Sequence, residues 1–302
     1  MPGIWSQVTK AFRELNPEEL VREADRALSL ALVAGTSEEL SRMEAFFAPT
    51  SLGRHKAEQV RQRLFPFLYP LRPSQEQMLR DFDLVVCSPG VTEGVGPLSP
   101  YVYIFGRVDS RDFVKEILRD RWDLALPLAK NFLPFRGPAQ QRWIHSIAFE
   151  SALFAMMTAV PNILPTPFSL PWAATEFASS TVFLTANQMR LAFIIAASSD
   201  SAVGFREQKG QLTAIAAAAL GWRSLARELA GKIPAGRGLL SKGLMAYAGT
   251  YVTGVTLEQL HALGRTLTRE EKRQAFEDAY RAGRAVLDKA LKARGSPAHT
   301  TA

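Results

Sequence analysis

Cys87 ends a compact apolar run and is followed by Ser88-Pro89-Gly90, a strand end of the kind where α/β proteins place reactive groups. It is the only cysteine, so neither an intramolecular disulfide nor a cysteine-based metal site can form. No histidine is identifiable as its partner, and a lone cysteine of this kind is expected in the core. His55, His145, His261 and His299 lie far apart and are read as forming neither a His-x-x-x-His nor a Glu-x-x-His pattern, so no metal centre is expected. His145 lies in an apolar helical stretch and reads as a hydrogen-bonded core residue. The sequence therefore predicts no catalytic residue, no metal and no cofactor.

A second place to look for chemistry is the turn after the apolar run Leu28 to Ala34. A working phosphate loop needs Gly-x-x-x-x-Gly-Lys-Ser/Thr, because backbone amides wrap the phosphates, the lysine neutralises them and the hydroxyl holds magnesium. Here Gly35 is followed by Thr36-Ser37-Glu38-Glu39-Leu40, with no lysine, no second glycine and two carboxylates that repel phosphate. Further on stand Ile104-Phe105-Gly106-Arg107-Val108-Asp109 and Leu128-Ala129-Lys130. In that order the three elements resemble a degenerate small-GTPase domain. The resemblance implies Arg107 in place of the guanine-motif lysine, Asp109 in place of its aspartate, and Gly35 as a vestige of the phosphate turn. It implies weak nucleotide binding at most.

These residues need elements to hold them. Asn16-Pro17-Glu18-Glu19 supplies an N-cap, a proline at the first helical position and an early glutamate, which start a helix. Ahead of it, Ile4, Trp5, Val8, Phe12 and Leu15 fall at helical spacing and predict a short amphipathic helix. Leu28 to Ala34, Phe82 to Cys87 and Tyr101 to Phe105 read as strands alternating with helices, the pattern of a parallel sheet covered on both faces. The predicted fold class is α/β plus all-α. A small three-layer parallel-sheet domain occupies residues 1–135, an apolar multi-helix bundle 136–293 and a disordered tail 294–302.

In the second half, helices are predicted over Ala139 to Ala159, Trp172 to Ser198, Phe205 to Leu220, Leu225 to Lys232, Leu239 to Leu263 and Arg269 to Ala293. Thr268-Arg269-Glu270-Glu271 is a capping box that starts the last. Ser151 to Thr175 carries no charge, but Pro161, Pro165, Pro167 and Pro171 interrupt it, so it cannot be one membrane-spanning helix. Its apolar helices can form a soluble core or half-inserted elements.

Phe135-Arg136, the proline hinge, Leu184-Thr185-Ala186-Asn187-Gln188-Met189-Arg190, Gly221-Trp222-Arg223, Lys232-Ile233-Pro234 and Tyr247-Ala248-Gly249-Thr250-Tyr251 resemble the YcjF-type GTPase-associated helical domain family of unknown function. The resemblance spans Phe135 to Ala285. It implies a helical module that follows a GTPase domain and is associated with membranes, and it implies no reaction.

Asn187, Gln188 and Arg190 interrupt an apolar helix and read as a buried network or a polar site in the bundle. Lys232, Arg237 and Lys242 flank a glycine-rich turn suited to an anion or lipid phosphate. Gly243, Ala246, Gly249, Thr253 and Gly254 give one helix a small-residue face for close packing. The net charge is +7, and the residues after Ser201 carry 16 Lys and Arg against 8 Asp and Glu, so the excess is concentrated there. With no basic run interleaved with stacking aromatics, the expected partner is a membrane surface or a protein, not nucleic acid. The start of the chain has no signal-peptide pattern, which predicts a cytoplasmic protein, with attachment at the cytoplasmic side of the inner membrane as the alternative. The function expected is that of a non-enzymatic accessory or scaffold protein of GTPase-associated type. The alternative is a residual nucleotide-binding switch.

Overall fold

The computed structural model of the chain describes residues 16–157, 180–215 and 238–295. Their contacts divide into two units, one built from Val21–Gln140 with Ala197–Ser201 and the other from the remaining residues. The elements are α1 (Pro17–Ala24), β1 (Leu30–Ala34), α2 (Ser37–Phe47), α3 (Arg54–Arg61), β2 (Leu64–Leu68), α4 (Pro73–Met78), β3 (Leu84–Cys87), α5 (Thr92–Val95), β4 (Val102–Ile104), α6 (Ser110–Asp120), α7 (Ala125–Asn131), α8 (Leu133–Met157), α9 (Ser180–Ser198), α10 (Gly238–Leu263) and α11 (Arg269–Gly295). The class is α/β followed by all-α.

The first unit is a four-stranded parallel sheet in the order β2-β1-β3-β4. All five residues of β1 and all four of β3 are buried, which is why these strands read as unbroken apolar runs. One sheet face carries Ala31, Val33, Val85 and Cys87 against Leu71, Leu79, Val91 and Val95. The edge strand β2 is the one the sequence does not predict, because Pro66 sits in its middle. Its ladder bonds run from Leu30 N–H to the Arg63 carbonyl and from Tyr69 N–H to the Ala34 carbonyl. Odd-numbered residues therefore bond to β1, and Pro66 turns its missing N–H to the open edge, where none is needed. Because the chain steps from β1 to β2 on one side and then to β3 on the other, the order reverses between β1 and β3. Doubly wound folds place their ligands at the carboxyl ends of the strands at that point.

In the helical unit α9 is buried on nearly all sides, with Met189, Leu191, Phe193, Ile194 and Ile195 packed with Ile144 and Ile147 of α8 and Leu257 of α10. α10 and α11 pack through Tyr247, Ala248, Val252, Phe276 and Ala279. Gly264, with φ of 69°, turns the chain between them. The predicted capping box at Thr268 forms, with the Glu271 amide donating to the Thr268 hydroxyl at 3.2 Å and the Thr268 amide to the Glu271 carboxylate at 2.7 Å. α8 starts at Leu133, earlier than predicted, and carries Pro138 inside it. Among the described residues no helix is long and apolar enough to cross a membrane. The predicted helix before Leu15, the proline hinge, the helix at Leu225 to Lys232 and residues 296–302 of the tail lie outside the described residues, while Arg294 and Gly295, expected in the disordered tail, end α11.

Candidate functional site

A cleft of about 210 Å³ opens at the carboxyl ends of the strands, lined by Glu39, Arg42, Met43, Ser88, Pro89, Phe105 and Gly106. Its walls come from the start of α2, the end of β3 and the turn after β4, so the topology alone brings these distant residues together. Glu39 and Ser88 of this lining reach the backbone amides that precede α2, those of Gly35 and Thr36. Those amides are engaged. Gly35 N–H donates to Glu39 Oε2 at 3.1 Å and to Ser88 Oγ at 3.3 Å, and Thr36 N–H donates to Glu39 Oε2 at 3.3 Å. The Thr36 hydroxyl in turn accepts from the Glu39 amide, completing a capping box. A carboxylate tethered to the chain thus holds the anion position at the helix start, where amides and the helix dipole favour negative charge.

The other residues of the GTPase resemblance are held in local structure. Arg107 pairs with Glu116 at 3.0 Å. Asp109 is the N-cap of α6, accepting from the amides of Asp112 at 2.8 Å and Arg111 at 2.9 Å. Those bonds, the Asp112 amide first, hold its carboxyl below the ordinary aspartate range. Lys130 bonds Asp25 and lies 3.8 Å from Asp200. Each side chain that the resemblance would point at a nucleotide has a partner within its own unit.

Cys87 is buried, with its sulfur 3.9 Å from the Thr92 hydroxyl, and burial pushes the thiol pKa up. The group stays a neutral thiol, which is a poor nucleophile.

In the helical unit, the polar residues of α9 divide between two partners. Asn187 donates to Ser151 Oγ at 3.1 Å, while Arg190 forms an ion pair with Glu150 at 2.9 Å. Gln188 is buried beside them. His145 departs from its expected place in the core: it is hydrogen-bonded, sharing 2.7 Å with the Tyr247 hydroxyl and lying against the Tyr251 ring, but it is exposed. It lies on the face of α8 that carries Ala148 and Ala152, with its ring against Tyr247 and Tyr251 of that cluster. Of the basic turn, Lys242 is exposed, and Lys232 and Arg237 lie outside the described residues.

Sequence reasoning passes over Glu258. It is half-buried on α10 and accepts from Gln141 of α8, with His261 one turn on in hydrogen-bond contact with Gln211. Glu258-Gln259-Leu260-His261 has the Glu-x-x-His spacing that the reading of the histidines held to be absent, and among the described residues no cluster of three or more His, Cys, Asp or Glu could hold a metal. Glu39 was also visible, as a charge that repels phosphate. Its place on the Gly35 amide was implicit in the spacing Thr36-x-x-Glu39.

Comparison with protein-family models, with curated proteins and with solved structures finds no match for this chain.

Proposed function

We propose that this chain is a non-enzymatic accessory protein in which an α/β platform of nucleotide-domain type, closed to nucleotide, is joined to a helical module that binds an anionic membrane surface or a protein partner. The carrying observation is the Glu39 carboxylate on the Gly35 and Thr36 amides. A phosphate entering there must displace a side chain already in place and do so without a lysine to neutralise it. The engagement of Arg107, Asp109 and Lys130 in capping and ion pairs supports the same reading.

Titration of the purified protein with GTP and GDP tests it. No saturable binding is expected at micromolar nucleotide, and no phosphate release. A submicromolar dissociation constant would replace this reading with that of a nucleotide-binding switch. Introducing a lysine into the Gly35 turn alone leaves binding absent, since Glu39 keeps the amides.

A further inference from the structure

The cleft at the carboxyl ends of the strands keeps two hydrogen-bond donors that the fold does not use. Ser88 is 2% exposed and fixed through its backbone, its N–H donating to the Val33 carbonyl at 2.9 Å and its carbonyl accepting from the Val91 amide at 3.2 Å. Its Oγ accepts the Gly35 N–H at 3.3 Å, and among the described residues no acceptor takes the hydroxyl proton. A buried donor without an acceptor is costly, so its partner must come from whatever occupies the cleft. Arg42 lines the same cleft and makes no ion pair or side-chain hydrogen bond among the described residues. Glu39 and Glu38 stand three and four residues before it, the spacings at which carboxylates pair with arginine on a helix. Neither pairs. The Glu39 carboxylate is turned back onto the Gly35 and Thr36 amides, which leaves the guanidinium available.

The rest of the wall is apolar and braced. Met43 follows Glu39 by one turn of α2, and Pro89 follows Ser88. Phe105 meets the Phe113 ring edge-on with centroids 5.5 Å apart and lies 5.3 Å from that of Phe46. These residues belong to three separate stretches of chain, placed together by the sheet and α2, so the wall is formed before any guest arrives and little is lost to ordering it. The volume of about 210 Å³ falls below the roughly 300–1,000 Å³ of sites for drug-sized ligands, so the cleft suits a guest smaller than a nucleotide.

We infer that this cleft binds a small monocarboxylic acid with an apolar body, its carboxylate on Arg42 and the Ser88 hydroxyl and its body against Met43 and Phe105. This goes beyond the reading of a platform closed to nucleotide, since such a guest leaves the Glu39 cap in place. The guanidinium fork matches a planar carboxylate through two parallel hydrogen bonds, and one guanidinium balances one negative charge. A phosphoryl group carries roughly −1.5 to −2 at neutral pH, and the Glu39 carboxylate in the same wall opposes the excess. A neutral guest gives up the charge-assisted bond, which is roughly twice as strong as a neutral one.

Amide chemical-shift mapping and calorimetry on the full-length protein test the site with phenylacetate as the probe. Saturable binding is expected, with the shifts centred on Arg42, Ser88 and Gly106. Phenylacetamide, which has the same body without the charge, and inorganic phosphate are each expected to bind about 10-fold more weakly or worse. Arg42→Gln is expected to weaken phenylacetate binding by about 10-fold or more, and Ser88→Ala by roughly 5-fold. Ser88→Ala also removes the acceptor of the Gly35 amide, so if that variant does not fold the exposed Arg42→Gln carries the test alone. No saturable shift up to about 10 mM phenylacetate overturns the inference, as does wild-type affinity in Arg42→Gln. Phenylacetamide binding as tightly as phenylacetate overturns the charge on the guest, and phosphate binding more tightly overturns its class.

Discussion

Glu258 carries a carboxyl that burial raises above its ordinary value of 4.5, with the hydrogen bond from Gln141 opposing that rise. A raised value in the fold means that the folded chain holds this proton more tightly than the unfolded one. The contribution to stability is complete below the unfolded value and is lost as pH rises through the folded value. At neutral pH the fold therefore carries a cost for a half-buried charge. Glu258→Gln removes that charge and keeps an acceptor for Gln141, so the variant is expected to melt at or above the wild-type temperature at neutral pH. The difference should close as pH falls below the unfolded value. Melting curves of both proteins from acid to neutral pH check this, and an offset independent of pH would show the carboxyl to be unperturbed. The burial of such a group cannot be read from its type or spacing. It depends on α8 bringing Gln141 against α10, a contact between residues 117 positions apart. By contrast, Asp109 and Glu39 sit in local capping geometry that their spacing to Asp112 and Thr36 already contained; the GTPase resemblance gave Asp109 another role, and Glu39 was read only as a charge that repels phosphate.

Elements whose cues are local stand close to where the sequence puts them. Thr36 starts α2, Thr268 starts α11, and the apolar runs ending at Ala34 and Cys87 form the two central strands. β2 was hidden because a proline argues against a strand until the strand is known to lie at an edge with that residue facing outward. The small-residue face of α10 was legible as a pattern, and packing now gives individual positions a cause. Gly243 lies against Met156 and the Ala152 carbonyl, and Gly254 lies between Ile144 and Leu191. Gly254→Ala sets two effects against each other. Alanine favours the helix by roughly 1 kcal/mol, while its methyl group would stand under 3 Å from two buried side chains, and such overpacking costs about 1–3 kcal/mol. Because both neighbours are 0% exposed and cannot swing into solvent, the clash should dominate. Urea denaturation is expected to show lower stability, and a stabilised variant would mean that α8 and α9 can shift at this point.

At the scale of the whole molecule the basic excess after Ser201 accompanies a module of buried apolar helices, and in the proposed binding to a bilayer the two features would make separable contributions. Lysines and arginines near an anionic surface contribute about 1 kcal/mol each, a contribution that salt screens. Apolar side chains contribute only if they leave the core, and that part does not depend on salt. α9 turns its large apolar residues inward, with Phe183, Phe193, Leu191 and Ile195 fully buried. A membrane-bound state that leaves α9 in place would draw nothing from these side chains, and its salt-sensitive part is carried by charge. Changing Lys232, Arg237 and Lys242 together to glutamine is accordingly expected to weaken binding to anionic vesicles by roughly 100-fold, the product of three such contributions. Binding to neutral vesicles should be nearly unchanged. Flotation with both vesicle types at low and high salt measures each part. Wild-type protein that stays in the soluble fraction with anionic lipid at low salt would eliminate the membrane and leave a protein partner as the target of the helical module. Binding that persists at high salt and in the triple variant would mean instead that apolar side chains enter the bilayer.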